Sequence, residues 1–187
     1  MMIHRRLMVR IPMAAVAGTL AATLWPRKPL AETLTPLGEA LEKLNPPADL
    51  PDGVFVTRDG ASHRLSEFKG RGMVVNMWAT WCAPCVAEMP SLQVLSKALA
   101  PQDIAVLPLS SDRGGADTVA AWYQAHGITA LPVLLDPKGA TARAFAARGI
   151  PLTVIISTAG QVVARLEGAA DWASPDAPML IRRLAAG

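Results

Sequence analysis

Uncharged apolar runs alternate with amphipathic helical segments over most of this 187-residue chain, and this alternation limits its fold more than any other feature. The run Met73–Trp78 carries no charge and predicts a buried central strand. Alternating strands and helices form α/β folds, because each helix covers one face of the sheet. The chain is too short for two separate cores. We therefore predict one α/β domain, a three-layer α/β/α sandwich with a mixed central sheet.

Turn and cap signals predict the order of the elements. Two short strand-like segments, 54–56 and 62–65, flank Asp59-Gly60 and predict an N-terminal hairpin extension of the sheet. The other predicted strands are 73–78, 104–109, 133–135, 154–156 and 162–166, and the predicted helices are 34–44, 84–99, 116–126, 141–147 and 174–185. The prolines at 46 and 47 should end the first helix. We therefore expect a short helix and a proline-rich linker at 32–49, followed by the folded domain at 50–187.

The first 31 residues differ in charge from the rest of the chain. They hold five basic residues and no acidic residue, and an uncharged run covers residues 11–25. This layout is typical of a secretory signal peptide or of an N-terminal membrane anchor. Both interpretations stay open, because the run is shorter than the ~20 residues of a comfortable membrane span. Either one predicts that the folded domain works outside the cytoplasm, soluble after cleavage or tethered to the membrane by residues 11–25.

The remaining charges argue against one class of partner. Residues 32–187 hold 13 Lys and Arg against 15 Asp and Glu. A domain that binds nucleic acid is expected to present a basic face. The sequence therefore predicts no nucleic-acid partner, and contact with a membrane only through the N-terminal segment.

The two cysteines of the chain, Cys82 and Cys85, stand where the predicted central strand gives way to a helix. The free N–H groups and the positive dipole end of a helix N-terminus favour the thiolate of the first cysteine. A spacing of three residues places both sulfurs on one helix face, where a disulfide can close, and Pro84 stiffens the first turn. The pattern predicts Cys82 as the nucleophile and Cys85 as the resolving thiol, with no cofactor besides their redox-active disulfide.

A Cys-x-x-Cys pair also occurs as half of a zinc site. This chain has no second pair, and the three histidines (His4, His63 and His126) lack zinc-ligand spacing, so we predict no metal. Two alternative functions stay open: a copper-handling module that binds metal through the pair, and an oxidant or isomerase on the same fold. A peroxidase is disfavoured, because a resolving cysteine three residues away suits disulfide exchange.

Three motifs carry a family resemblance: Trp-Ala-Thr-Trp-Cys-Ala-Pro-Cys at 78–85, Glu-Met-Pro at 88–90 and Gly-Ile-Pro-Leu-Thr at 149–153. They resemble the thioredoxin superfamily and, more narrowly, its secreted TlpA/ResA-like branch, over about residues 50–187. The loop 110–115 and the segment 166–168 are similar to TlpA proteins of alphaproteobacterial type.

The resemblance implies a thioredoxin-like fold and thiol–disulfide exchange in the periplasm. In this family the exchange usually runs in the reducing direction and often serves the assembly of cytochrome c or of the copper site of cytochrome oxidase. The partners implied are exported proteins with thiols or disulfides, and a membrane electron donor of the DsbD or CcdA kind.

The resemblance also assigns roles to single residues. Pro151 matches a cis-proline that faces the disulfide and offers backbone to the substrate. Glu88, three residues after Cys85, matches a glutamate that tunes the protonation of the cysteines, although a solvated surface glutamate is the alternative. Asn76 replaces the buried aspartate of ordinary thioredoxins, so proton handling must come from Glu88, water or the substrate.

The residues that border the cysteines and the proline are predicted to contact the substrate: Trp81, Ala83, Pro84 and Ile150. Two interpretations of Trp81 stay open, an aromatic edge presented to a docking partner or a core side chain. Trp78 follows the buried strand and is predicted to pack against the active-site loop.

Overall fold

The computed structural model describes residues 35–187. The predicted signal peptide or anchor at 1–31 lies outside the described residues. Across 35–187, every helix is too short or too polar to cross a membrane.

The described residues form ten strands and five α-helices. The strands are β1 (Thr35–Pro36), β2 (Glu42–Asp49), β3 (Val54–Thr57), β4 (Ser62–Arg64), β5 (Gly72–Trp78), β6 (Ile104–Ser110), β7 (Leu134–Leu135), β8 (Leu152–Ile156), β9 (Gln161–Glu167) and β10 (Ala170–Asp171). The helices are α1 (Leu37–Ala40), α2 (Ala83–Leu99), α3 (Gly115–Ala125), α4 (Ala140–Ala144) and α5 (Ala177–Ala186). Short 3₁₀ turns cover Leu65–Phe68, Ala100–Gln102 and Pro137–Gly139.

Eight of these strands form one mixed sheet in the order β2-β9-β8-β5-β6-β7-β3-β4. The pairs β5–β6 and β6–β7 are parallel, and the other neighbours are antiparallel. The predicted hairpin is β3–β4, and β3 pairs with β7 at the edge of the parallel part. The mixed sheet and its hairpin extension are therefore confirmed. Strands β1 and β10 form a separate two-residue parallel pair that was not predicted.

Alternate side chains of β5 point to opposite faces of the sheet, as the period of a strand requires. Val74 and Trp78 belong to the larger apolar cluster, which lies under α2, α3 and α5. Met73 and Val75 belong to a second cluster, which the hairpin, the 3₁₀ turn Leu65–Phe68 and the end of α4 cover. The predicted three-layer sandwich is present, with the second outer layer much thinner than the first.

Within the described residues, the predicted helix at 34–44 is present only at Leu37–Ala40, because Thr35–Pro36 form β1. Residues 42–49 form β2, an edge strand that pairs antiparallel with β9, instead of a linker. Strand β9 would otherwise present an unpaired edge, and pairing along that edge prevails over helical spacing in so short a segment. An edge strand tolerates prolines because one of its sides needs no ladder hydrogen bonds. The register shifts between Lys43 and Ala48, around the two prolines.

The other predicted elements are present, with ends that shift by at most three residues. Strand β5 is buried at every position, as its apolar run predicts. It delivers the chain directly to the two cysteines at the start of α2. The strands β5, β6 and β7 run parallel, so their carboxyl ends lie at the same edge of the sheet. The site lies at this edge.

Candidate active site

Cys82 and Cys85 form a disulfide at the N-terminus of α2. Cys82 is the N-cap residue, and the backbone N–H of Cys85 donates to its Sγ at 3.3 Å. This N–H is one of the groups that a helix leaves without an internal partner in its first turn. The same donor is therefore in place to stabilise a thiolate on Cys82 after reduction.

The two cysteines differ in their exposure to solvent. Cys85 is completely buried, whereas Cys82 is 6% exposed and lines a cleft of about 1100 Å³. Ala83 and Pro84, between them, are exposed. An incoming disulfide therefore meets Cys82 first. The roles of nucleophile for Cys82 and resolving thiol for Cys85 stay predictions.

Ile150 and Pro151 come directly before β8 and approach the disulfide at Cys82. The peptide bond between them is cis, as predicted, and the carbonyl oxygen of Ile150 lies 3.6 Å from Sγ of Cys82. In the dithiol state this carbonyl can accept a hydrogen bond from the Cys82 S–H group. Pro151 is buried, while Ile150 is half-buried and lines the same cleft as Cys82. Docking of a substrate on this segment stays a prediction.

The two tryptophans next to the cysteines lie in different environments. Trp81 is 69% exposed and borders the cleft, so the interpretation of Trp81 as a core side chain is wrong. Trp78 is completely buried and stacks on Tyr123 of α3, with 5.7 Å between ring centroids. Its packing against the active-site loop stays a prediction. The exposed indole is thus the one beside the accessible sulfur.

Glu88 is buried under the cysteines, on the same helix. Its Oε1 accepts a hydrogen bond from Asn76 Nδ2, and its Oε2 accepts from the backbone N–H of Ala170 and from Trp172 Nε1. Burial raises the pKa of Glu88 to about 7, and the three hydrogen bonds limit the rise because they favour the carboxylate. The alternative of a solvated surface glutamate is wrong. Among the described residues, neither sulfur is a hydrogen-bond partner of Glu88 in this oxidised state.

Asn76 links β5 to β8 beneath the site. Its Nδ2 donates to Glu88 Oε1 and to Thr153 Oγ1, each at 2.8 Å, while its Oδ1 has no partner within 35–187. Sequence reasoning missed Thr153 and Trp172 as neighbours of Glu88. The sequence places Thr153 directly after the Gly-Ile-Pro-Leu run, which is the one signal that it lies near the site. No local signal indicates that Trp172 does.

Asp112 is a third residue that sequence reasoning did not assign to the site. Its carboxylate accepts hydrogen bonds from the backbone N–H of Thr80 at 2.9 Å, from Thr80 Oγ1 at 2.7 Å and from Ser110 Oγ at 2.7 Å. It therefore ties the loop after β6 to the loop that leads into Trp81 and Cys82. Its position in the loop after a parallel strand, next to β5, is the signal that was available.

We expect Asp112→Ala to lower the free energy of unfolding by about 2 kcal/mol, because two loops lose charge-assisted hydrogen bonds in a partly buried place. Urea denaturation of the oxidised protein measures this change. The matched control is Asp117→Ala, which removes an exposed carboxylate from the first turn of α3. Equal stability of the two variants would contradict the structural role of Asp112.

Within residues 35–187, no group of three or more His, Cys, Asp and Glu side chains is arranged to hold a metal ion. That the protein works without a metal ion stays a prediction.

Comparison with known proteins finds a matching family, a relative and two similar solved structures. The model of the AhpC/TSA family matches residues 45–165. The thiol-disulfide oxidoreductase ResA of Geobacillus thermodenitrificans strain NG80-2 is 30% identical over 112 residues, which are 60% of this chain and 63% of that protein. The chain thus matches less than two thirds of the length of this relative.

Two solved structures are similar to this fold. A thiol:disulfide interchange protein of the thioredoxin family from Chlorobium tepidum TLS superposes with a TM-score of 0.61 and 27% identity, over 75% of this chain and 97% of that one. The pneumococcal exposed lipoprotein thioredoxin from Streptococcus pneumoniae strain TIGR4 superposes with a TM-score of 0.57 and 28% identity, over 71% and 97% of the two chains.

Proposed function

This chain belongs to the AhpC/TSA family of thioredoxin-like proteins, and from that premise we propose that it is an exported thiol–disulfide oxidoreductase that reduces disulfides of other exported proteins. The observation that carries the proposal is the geometry at Cys82. Its sulfur caps a helix, faces the Ile150 carbonyl at 3.6 Å across a cis-proline turn, and opens onto a cleft.

The proposed reaction consists of two displacements at sulfur. The Cys82 thiolate attacks one sulfur of the substrate disulfide, so that a mixed disulfide forms and the other substrate sulfur leaves and takes up a proton. The Cys85 thiolate then attacks Sγ of Cys82, and the second substrate sulfur leaves as a thiol. Two electrons and two protons pass to the substrate, and the chain is left with the Cys82–Cys85 disulfide seen here. The reaction requires no cofactor besides the cysteine pair.

Glu88 is proposed to handle a proton in the second displacement. Cys85 must lose its proton before it attacks, and Glu88 lies three residues further along α2, on the same helix face. A carboxyl group with a pKa of about 7 can accept and return a proton near neutral pH. Asn76 cannot titrate, so it contributes a hydrogen bond to Glu88 and no proton transfer of its own.

The surroundings of Cys82 favour the reducing direction. A pair becomes a strong oxidant when its reduced thiolate is strongly stabilised by its neighbours. Here one donor, the Cys85 N–H, reaches Sγ of Cys82, and the other polar neighbour, the Ile150 carbonyl, is an acceptor that favours the thiol. Within 35–187 no cationic side chain is hydrogen-bonded to that sulfur.

We place the domain in the periplasm, on the basis of the basic start and uncharged run of residues 1–31. A reductant there needs a continuous supply of electrons, because the bacterial periplasm is kept oxidising. We propose a membrane donor of the DsbD or CcdA kind, and substrates that take part in the assembly of cytochrome c or of the copper site of cytochrome oxidase. The Streptococcus relative, named as an exposed lipoprotein, supports an extracytoplasmic location.

We expect the cysteine pair to have a midpoint potential below about −180 mV, on the reducing side of protein disulfide isomerase. Equilibration of residues 32–187 with defined ratios of reduced and oxidised glutathione, followed by acid quenching and mass analysis, measures it. A value near −120 mV would reverse the direction and favour the oxidant or isomerase. Copper that the protein retains through dialysis, and that Cys82→Ser does not retain, would instead favour a copper-handling module.

A further inference from the structure

The cleft beside Cys82 has an unusual balance of charge. Four basic side chains line it, Arg113, Lys138, Arg143 and Arg148, together with a single acidic side chain, Asp112. Residues 35–187 as a whole hold 13 basic and 14 acidic residues. Four of the 13 basic residues thus line the cleft onto which the accessible sulfur opens, in a domain that is otherwise slightly acidic.

The acidic groups near this cleft are already engaged. The Asp112 carboxylate accepts hydrogen bonds from Thr80 and Ser110, and Glu167 pairs with Arg148 on the cleft rim. By contrast, Arg113, Lys138 and Arg143 are exposed and form no ion pair within the described part of the chain. Three cationic side chains therefore remain available to a ligand.

These three side chains come from different elements that meet at the cleft. Arg113 lies in the loop after β6, Lys138 in the 3₁₀ turn after β7, and Arg143 on α4. Lys138 adopts a left-handed backbone conformation, with φ of 61°, which a lysine adopts less readily than glycine or asparagine. The Arg143 guanidinium donates to the Lys138 carbonyl oxygen, which holds the two residues together.

We propose that this cleft selects polypeptide segments in which acidic side chains accompany the target disulfide. The proposal rests on the exchange function proposed above and names the chemistry of its substrate. Carboxylates of an extended segment that docks along Ile150 would meet the cationic groups while the segment's sulfur meets Cys82. Complementary charge mainly raises the association rate and the discrimination between partners, and salt weakens both effects.

The test uses synthetic peptides of equal length that each contain one intramolecular disulfide flanked by glutamates, serines or lysines. Reduced protein is mixed with each peptide in a stopped-flow instrument, and tryptophan fluorescence follows oxidation, since Trp81 is exposed beside Cys82. We expect the glutamate peptide to react about 10-fold faster than the serine peptide at low salt, and the lysine peptide more slowly than either. At high salt the three rate constants should converge.

The informative variant is the double substitution Arg113→Glu and Lys138→Glu, for which the ratio of glutamate-peptide to serine-peptide rate constants should fall below one. The matched control is Arg182→Glu with Arg183→Glu, which changes the net charge equally on α5. Arg182 lines a hollow that includes Gly72, the first residue of β5, whereas the cysteines follow the last residue of that strand. This control should keep the wild-type ratio.

The outcomes separate the two proposals. Equal rate constants for all three peptides would overturn the charge selection and leave the exchange function standing. The same holds if the α5 control loses the preference as fully as the cleft variant, because the effect would then be one of net charge. Failure to reduce even the serine peptide would contradict the exchange function and, with it, the selection that rests on it.

Discussion

Cys82→Ser is expected to lower the rate of disulfide exchange by ~10³-fold or more, because a serine hydroxyl does not supply the anionic nucleophile of the first displacement. Cys85→Ser is expected to act differently. The variant keeps the first displacement but cannot complete the second, so the substrate stays attached to Cys82 as a mixed disulfide. That mixed disulfide persists because, without Cys85, the 187-residue chain has no second thiol to attack it.

Mass analysis under non-reducing conditions distinguishes the two variants. With an excess of disulfide peptide, Cys85→Ser should gain the mass of one peptide on most molecules. The double variant Cys82→Ser with Cys85→Ser is the control and should gain none. The assignment is unambiguous because the 187-residue chain has two cysteines in total. Expressed in the source cell, the same single variant should capture the physiological substrate.

The formation of the mixed disulfide depends on a thiolate at Cys82. Iodoacetamide labelling of Cys85→Ser tests whether Cys82 is a thiolate at neutral pH. If the helix N-terminus favours the thiolate, Cys82 should react several-fold faster at neutral pH than a cysteine in a short unstructured peptide. Labelling no faster than the peptide, or peptide adducts that form on Cys82→Ser instead of on Cys85→Ser, would contradict the roles given to the pair.

Much of the fold could be predicted because its signals are local. The uncharged run at 73–78, the Asp59-Gly60 turn and the change from strand to helix at the cysteines each report on their own neighbourhood, and each element is present in the structure. The resemblance to thioredoxin-like thiol–disulfide oxidoreductases, drawn from short motifs, is confirmed by the match to residues 45–165 and by the similar relatives. The cis bond before Pro151 is likewise confirmed.

The predictions that are wrong or missing concern places where distant parts of the chain meet. Residues 34–44 have helical spacing and the prolines that follow indicate a linker. Residues 42–49 nevertheless pair with β9, more than a hundred residues later, and no local pattern reports that pairing. Glu88 accepts hydrogen bonds from Ala170 and Trp172, 82 and 84 residues away, so its burial could not be read from α2 alone. The charged cleft is assembled from three separate loops and a helix, and was missed for the same reason.

The buried carboxyl group of Glu88 should make the stability of the oxidised protein depend on pH. Its pKa is about 7 in the folded protein, against 4.5 ordinarily, so the folded state holds this proton more tightly than the unfolded state. The protonated form therefore contributes stability that is fully present below pH 4.5 and is lost as the pH rises to 7. At 1.36 kcal/mol for each unit of pKa shift, the loss amounts to about 3 kcal/mol.

Glu88→Gln isolates this contribution, because it keeps the shape of the side chain and removes the titration. The new amide can be accommodated if the Asn76 amide turns over, since Asn76 Oδ1 has no partner in the described part and can accept its N–H group. Urea denaturation from pH 4.5 to 8 gives the free energy of unfolding of both proteins. We expect the wild type to lose about 3 kcal/mol relative to the variant between pH 4.5 and 8, with most of the loss complete at pH 7.

Glu39→Gln is the matched control, since Glu39 is an exposed glutamate on α1 and its substitution should leave the wild-type pH profile unchanged. Identical pH profiles for the wild type and Glu88→Gln would show that Glu88 does not titrate in this window. That result would also remove Glu88 as the proton acceptor for Cys85, because a carboxyl group that stays ionised throughout cannot return a proton near neutral pH. The buried cluster around Asn76 would then be structural, and water or the substrate would have to accept the proton.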